Sequence, residues 1–436
     1  MKKVNLLLAA VVAASVSAPA LADYTPNAYF NGYMRAGVGV DRNGKFNGND
    51  GLAHKVGRLG NESNLNGEIG IGADVAKDDD TVWTVISMLA VQESGTNSYT
   101  NLNGDDNNRI ALRQFNVEVK GLFESDKDAK IWVGKKYVQR EDIHINDWYY
   151  YDISGTGAGI ENVSLGAGKW SFAYVQNGSD KHVFDTRYSF PLWDGASFQI
   201  GNAYAQMIRQ KETDKQANGN MLTLEFTQGF NGGWNKTVFQ WKKGNQCGNQ
   251  NGTAWGSNDG NEYDLYNFGE TTLGGDFHLF HVVDYAYKKF ESDAKSKVWR
   301  VVLRPWYKLT KMTRVYAELG AYGEHNESAE GVKSRDRLQK VTFAYAITPD
   351  AGNMWSRPEI RFFATWLHGT DSDITYTGIK HAGDFDLEGR GTGYRDGTTD
   401  IQGGVQAEAW WKSLHLKSTN QIIQLKEWLR LLLFSF

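Results

Sequence analysis

Over long stretches of this chain, apolar and polar side chains alternate with a period of two, and that period limits what the chain can fold into. In residues 30–38, Phe30, Gly32, Met34, Ala36 and Val38 fall on one face, and Asn31, Tyr33, Arg35 and Gly37 on the other. After Asn64 the pattern returns, with Leu65, Gly67, Ile69, Ile71 and Ala73 set against Asn66, Glu68, Gly70, Gly72 and Asp74. Near the end Ile360, Phe362, Ala364 and Trp366 oppose Glu359, Arg361, Phe363 and Thr365, and Val405, Ala407, Ala409 and Trp411 oppose Gln402, Gln406, Glu408 and Trp410. Such segments are strands with one apolar and one polar face. In a soluble sandwich the apolar face meets another sheet; in a membrane barrel it meets lipid, and the polar face lines a wet lumen. Alternation alone is compatible with both.

Three features favour the barrel. First, the chain starts like an exported protein: Lys2 and Lys3, an apolar run over 6–16, then Ala20-Leu-Ala22, which makes Asp23 the expected mature N-terminus. That run is far short of the ~20 residues that span a bilayer, so 1–22 is read as a signal peptide and not an anchor. Second, alternating strands are spread over the whole chain. Third, no strong long amphipathic helix interrupts 23–411. No long apolar segment follows the leader either, which excludes a bundle of membrane helices. The 48 Gly, 21 Tyr, 21 Phe and 15 Trp against 6 Pro fit glycine-rich strands and aromatic girdles. With ~10-residue strands and connections of similar size, a chain of this length makes roughly 18 antiparallel strands. The expected fold is therefore an all-β transmembrane antiparallel barrel in the bacterial outer membrane, in contact with its lipid. One cysteine, Cys247, rules out an internal disulfide framework. It lies in the polar stretch 244–250 and is read as a tolerated surface residue. A net charge of −4 gives no sign of nucleic-acid binding.

Connections come in two lengths. Residues 77–80 and 124–128 look like short periplasmic turns; 93–108, 139–162, 242–272 and 368–399 look like long external loops. Residues 23–411 form one barrel domain. The tail 412–436 does not alternate; it is either an amphipathic helix or an appended extension, and a chain ending at Trp411 is expected to assemble.

Several blocks carry a family resemblance: Tyr33-Met-Arg-Ala-Gly-Val-Gly39, Arg58-Leu-Gly-Asn-Glu62, Arg304-Pro-Trp-Tyr-Lys308, Trp355-Ser-Arg-Pro358 and Glu408-Ala-Trp-Trp411. Longest are Ile131-Trp-Val-Gly-Lys-Lys-Tyr-Val-Gln-Arg-Glu-Asp-Ile-His144 and its continuation Asp147-Trp-Tyr-Tyr-Tyr-Asp-Ile-Ser-Gly-Thr-Gly-Ala-Gly-Ile-Glu-Asn162. In that order they resemble the maltoporins, sugar-specific eighteen-stranded porins. The resemblance implies a homotrimer whose third loop folds into the pore. It also implies facilitated diffusion of maltose and maltodextrins over a line of lumen aromatics flanked by charged tracks, without cofactor, metal or covalent chemistry. Physical chemistry agrees: a pyranose has an apolar C–H face that stacks on aromatic rings and a hydroxyl rim that needs partners, best supplied by charged groups. A row of weak, similar sites lets a sugar step along without a deep trap. Family relatives also imply a periplasmic maltose-binding protein and phage as partners.

Block matching assigns the aromatic slide to Tyr33, Trp234, Trp355 and Trp410. Tyr33 and Trp410 also lie on the polar face by parity. Asn66 stands where the family has a slide tyrosine. A further aromatic reaches in from a neighbouring subunit's second loop, where this chain offers Tyr99. The tracks map to Arg35, Arg58, Glu68, Arg113, Arg140, Asp142 and Asp147, with Tyr149 narrowing the pore. Arg35 and Glu68 sit on lumen faces by parity, whereas Arg113 shares parity with Phe115, Val117 and Val119. Each has a blander alternative: girdle positions for the aromatics, a solvated loop network for Arg140, Asp142 and Asp147. His144 is read as a structural hydrogen-bonding residue rather than a metal ligand or base. The acidic run 259–264 could hold calcium adventitiously. Rival functions are a sucrose, other oligosaccharide or general porin, a surface or phage receptor, and an outer-membrane enzyme, for which no nucleophile–base set is found.

Overall fold

The structure, a computed structural model, describes residues 27–42, 44, 52–62, 64–93, 108–178, 180–208, 217–249, 252, 259–371 and 398–416. These build one 18-stranded sheet in which every neighbouring pair is antiparallel. The first strand, Asn27–Asp41, pairs with Leu65–Asp78 on one side and with the last strand, Thr398–Leu416, on the other, so the sheet closes on itself. Closure satisfies every ladder and leaves no open edge, which is what a sheet surrounded by lipid requires.

The period of two becomes an inside and an outside. On Glu359–Asp371, Ile360 and Phe362 are 45% and 51% exposed, while Glu359 and Arg361 are 1% and 2% exposed. The same inversion holds at Arg314, Glu318 and Lys340, all buried, beside exposed Leu319 and Phe343. An apolar outer wall around a charged interior belongs to a barrel in lipid, not to a soluble sandwich.

One barrel end carries tight turns. Asn231-Gly232 joins Ala217–Phe230 to Gly233–Gly244 with φ of 43° and 74°, the left-handed pair of a two-residue hairpin. At the other end two connections fold inward. Between the first two strands, a short helix α1 (Ala53–Val56), the stretch up to Glu62, and Asn64 lie inside the lumen. Lys340 Nζ donates to the carbonyls of Gly57 and Leu59 at 2.7 and 2.8 Å, and Gln406 donates to Glu62 O at 2.7 Å. Gly320 makes this seat possible, because a Cβ there would overlap the Val56 carbonyl. The second inward connection, 137–154, contains a small hairpin, Glu141–Ile143 with Trp148–Tyr151, around the 3-10 turn His144–Asn146. Ile143, Ile145, Tyr150, Tyr151 and Ile153 bury against lumen-facing Ala203, Met221, Val238 and Phe268. The two inward segments meet through main chain: Arg58 N donates to Ile145 O at 2.9 Å, and His54 Nδ1 lies 3.1 Å from Asn146 O.

Four expectations change. Gly260–Gly274 is a strand, not part of an external loop; its lumen side carries Glu262 and Asp264, both ion-paired to Lys242, which hides the alternation and occupies the acidic run with an ammonium. Gly155–Leu165 is likewise a strand, so the third connection ends at Ser154. Cys247 is 1% exposed and packs with Phe290 and Ala294 under its polar loop. The last strand runs past Trp411 to Leu416, which faces Ala28.

Two tests follow from these contacts. Gly320→Leu should lift α1 from the wall; we expect a wider open-channel conductance and a stability loss of about 1–3 kcal/mol by thermal unfolding in detergent. A chain ending at Leu416 should keep the heat-resistant folded band of the full chain on unheated gels, whereas one ending at Trp411 loses the pairs to Ala28, Tyr29 and Phe30 and should unfold at lower temperature.

Candidate functional site

The inward segments and the facing wall enclose a cavity of about 660 Å³, inside the ~300–1,000 Å³ range of small-molecule sites. Tyr33 and Trp410 are direct cross-strand neighbours on the first and last strands. Trp355 reaches in from the connection before Glu359–Asp371 and leaves 37% of itself exposed. Ring centroids then follow one another: Trp410 to Trp355 at 6.3 Å, Trp355 to Phe280 at 6.2 Å, Phe280 to Trp234 at 5.8 Å. The row runs from the inward loops toward the end with the tight turns. Trp234 and Phe280 continue it outside the cavity lining, which includes Tyr33, Trp355 and Trp410. Phe280 was not anticipated, although it shares parity with Asp284 and so belongs to the lumen face.

Charged groups lie along the row. Glu408 is the hub: Arg58 at 3.2 Å, Arg357 at 2.7 Å and Arg361 all pair with it, and Tyr33 donates its hydroxyl to it at 3.1 Å. Arg58 also pairs with Glu62 at 2.9 Å and donates to Tyr33 Oη at 3.1 Å; Arg35 pairs with Glu62 at 2.7 Å. The Arg357 guanidinium sits 4.0 Å from the Trp410 ring centroid. Cations so held keep both ring and hydrogen-bond geometry in place. Glu62 enters the sequence reading only within a matched block, and Glu408 only within another and as a polar-face residue; their spacing from Arg58 and Trp410 is the available signal.

Across the cavity a second cluster surrounds Tyr137. Its hydroxyl donates to Glu68 at 2.6 Å and accepts from Arg113 Nε at 2.7 Å. Burial and the Glu68 carboxylate push its phenol up to about 12, so it stays protonated and bridges the two. Arg140 lies between the rings of Tyr137 and Tyr149, 4.4 and 4.3 Å from their centroids. Arg113 reaches the lumen despite its parity because it is a bulge: Met88 faces Gln114 and Leu89 faces Leu112, leaving Arg113 as the extra residue. Asp142, Asp147 and Tyr149 line the cavity, Asp147 in the left-handed region at φ 50°. His144 lines it too, packed 5.1 and 5.7 Å from the centroids of Trp355 and Trp410, with Nδ1 facing Arg58 Nη1 at 3.4 Å. Burial and that guanidinium hold it well below the ordinary histidine range, so it is a neutral acceptor. Eleven of the thirteen expected residues thus line one cavity. Trp234 extends its aromatic row, and Tyr99 lies outside the described residues.

Comparison with known proteins gives one consistent result. A family model described as LamB porin matches residues 28–411. A maltoporin of Photobacterium profundum is 34% identical over 88% of this chain and 93% of its own, and one of Vibrio cholerae serotype O1 (El Tor Inaba N16961) is 34% identical over 94% of this chain and 100% of its own. Maltoporin 1 of Klebsiella pneumoniae is 33% identical over 93% of this chain and 97% of its own. Similarity to solved structures is weaker; an anion-selective porin from Comamonas acidovorans aligns over 88% of this chain and 100% of its own at 11% identity, with a TM-score of 0.46.

The cavity should respond to pH through Asp142. Crowding by protein and the neighbouring Asp147 push its carboxyl up to about 6, while Asp147, where Arg58 and Arg35 outweigh the cost of burial, stays below the usual carboxylate range. Asp142 presents its side chain to the cavity. Taking the pH from roughly 7.5 to 5 should remove close to one negative charge from the cavity and lower the cation preference read from the zero-current potential in a salt gradient. Asp142→Asn should show the low-pH preference at both values; an unchanged pH response in that variant would assign the titration elsewhere.

Proposed function

Since the chain belongs to the LamB porin family and resides in the bacterial outer membrane, we propose that it is a channel for facilitated, downhill diffusion of maltose and maltodextrins. The observation that carries this reading is the continuous aromatic row, Tyr33, Trp410, Trp355, Phe280 and Trp234, with guanidinium and carboxylate groups along its length. Successive rings, tilted or edge-on to one another, each offer a glucose an apolar contact, and the fixed ions exchange hydroxyl partners as the chain advances. In this reading Arg35, Arg58, Glu68, Arg113, Arg140, Asp142 and Asp147 form the charged tracks, and Tyr149 with Arg140 sets the width. Tyr99 serves a neighbouring subunit of a homotrimer. Residues 1–22 are the cleaved leader and 417–436 a dispensable extension. The reading also includes delivery to a periplasmic maltose-binding protein and use by phage. No catalytic step or cofactor is involved. Asn66, at a slide position of the family, favours a broader oligosaccharide range as the second reading.

The deciding measurement is conductance in a planar bilayer titrated with maltotriose and then sucrose. Saturable block, with maltotriose acting at lower concentration than sucrose, is expected. Trp410→Ala should raise the half-blocking concentration of maltotriose about tenfold, the equivalent of ~1.4 kcal/mol. Open current unaffected by either sugar would indicate a general porin.

A further inference from the structure

The outer wall carries a charged patch that takes no part in lining the cavity. Three successive strands, Lys295–Lys308, Thr313–Glu327 and Lys333–Ile347, turn Trp299, Leu319 and Phe343 out toward the hydrocarbon. At the loop ends of the same strands the outward positions become cationic. Register sets Lys297, His325 and Arg335 directly opposite one another, and one step nearer the membrane centre it sets Trp299, Gly323 and Arg337 in the same way. Lys297, His325, Arg335 and Arg337 are all exposed, and the charged groups that act on His325 are the other three. Asp336, which separates the two arginines, falls on the opposite face, paired in register with buried Glu324. Farther out, Glu327 stands between Lys295 at 3.6 Å and Lys333 at 4.0 Å, so cations outnumber it too. A merely solvated face would mix its charges. The row at the loop ends of three other strands, His182, Gln206 and Asn218, holds no lysine or arginine.

Height puts the patch at a boundary. A strand that rises ~3.3 Å per residue and tilts by ~40° climbs about 25 Å from Ile347 to Arg337, the height of the apolar band of such barrels. Arg337 therefore marks the top of the band. Lys297, His325 and Arg335 stand just above it, at the end opposite the tight turns, which is the external one. Gly323 shapes the floor: a Cβ there would overlap the indole of Trp299, so the ring occupies that space, below His325 and next to Arg337. Tyr285 faces Trp299 from the neighbouring strand. An aromatic and aliphatic surface capped by clustered cations fits an amphiphile with an anionic headgroup. Guanidinium forks match phosphate best. In the external leaflet of a bacterial outer membrane, the lipid of that kind is a glycolipid with phosphates on its sugars.

We propose that Lys297, His325, Arg335 and Arg337 hold the phosphorylated sugar headgroup of one outer-leaflet glycolipid, with its acyl chains lying on Trp299, Tyr285 and Leu319. This lipid site depends on the outer-membrane location and is independent of what passes through the lumen.

Native mass spectrometry of the detergent-solubilised full-length protein, titrated with bisphosphorylated lipid A and with the same lipid stripped of its phosphates, tests the site. The phosphorylated lipid should bind about tenfold more tightly or better. Lys297→Gln, Arg335→Gln and Arg337→Gln together should weaken its binding about a hundredfold, roughly fivefold for each cation. The pair Arg335→Gln and Arg337→Gln, expected to cost about twenty-fivefold on the same scale, serves if the triple variant does not fold. Lys243→Gln removes an exposed cation from the loop end of another strand and should leave affinity nearly unchanged. Equal binding of the two lipids overturns the proposal, and so does a loss in Lys243→Gln as large as in the arginine pair. Displacement of the lipid by inorganic phosphate at the same concentration overturns it too, since the cations would then hold a free anion and not a lipid. Variants that keep lipid binding but dissociate the native oligomer would make the patch a contact between copies and overturn it as well.

Discussion

Everything in this molecule depends on the pairing of its first and last strands. In hydrocarbon an unpaired N–H or C=O costs several kcal/mol, so a sheet is admissible there only when it has no edge. The ladder from Ala28–Leu416 to Asp41–Gln402 removes that edge, and its register also creates the site, because it brings Tyr33 against Trp410 and Arg35 against Glu408. Those residues lie at opposite ends of the chain. The same pairing that fits the sheet to hydrocarbon makes the cavity.

With lipid outside, the interior becomes the place for charge. A soluble core buries apolar groups and rejects ions; here Arg314, Arg361, Glu359 and Glu408 are the buried layer, each matched to an opposite charge. Such pairs contribute little net stability against an apolar replacement, yet breaking one side is costly. Their role is positional: they fix the guanidiniums that hold Tyr33 and Trp410 in place, so the wall stays rigid while water and solute pass. Flexible lysines would not do this as well, since a planar guanidinium can both fork to a carboxylate and lie on a ring.

The sequence made the wall legible wherever alternation was clean. Parity placed Tyr33, Arg35, Glu68, Glu408 and Trp410 on the lumen side, and register agrees. It failed at Arg113 for a definite reason: a bulge adds one residue and exchanges the faces, a change the period cannot signal from one strand alone. It failed at Gly260–Gly274 because Glu262 and Asp264 read as loop residues until Lys242 is seen opposite them. Cys247 was misplaced because a polar loop folds over it. The inward course of 52–62 left only a faint trace, since Gly57 and Gly320 are informative only once the approach of the two backbones is known. Position along the row was equally hidden: Trp355, Phe280 and Trp234 belong to three separate segments, and no local pattern links them.

The meeting of the two inward connections has one more consequence. Arg58 N to Ile145 O and His54 to Asn146 O are bonds to main chain, and Lys340 reaches the carbonyls of Gly57 and Leu59. The seat of the two connections is therefore held largely through main-chain carbonyls, while the groups that line the cavity are side chains projecting from that frame. Seat and lining become separable properties. Substitutions at the lining can drift and retune width and preference without unseating the connections, whereas exchanging either connection alone, as in a loop-swapped chimera of two related barrels, would break the mutual seat whatever residues it carried.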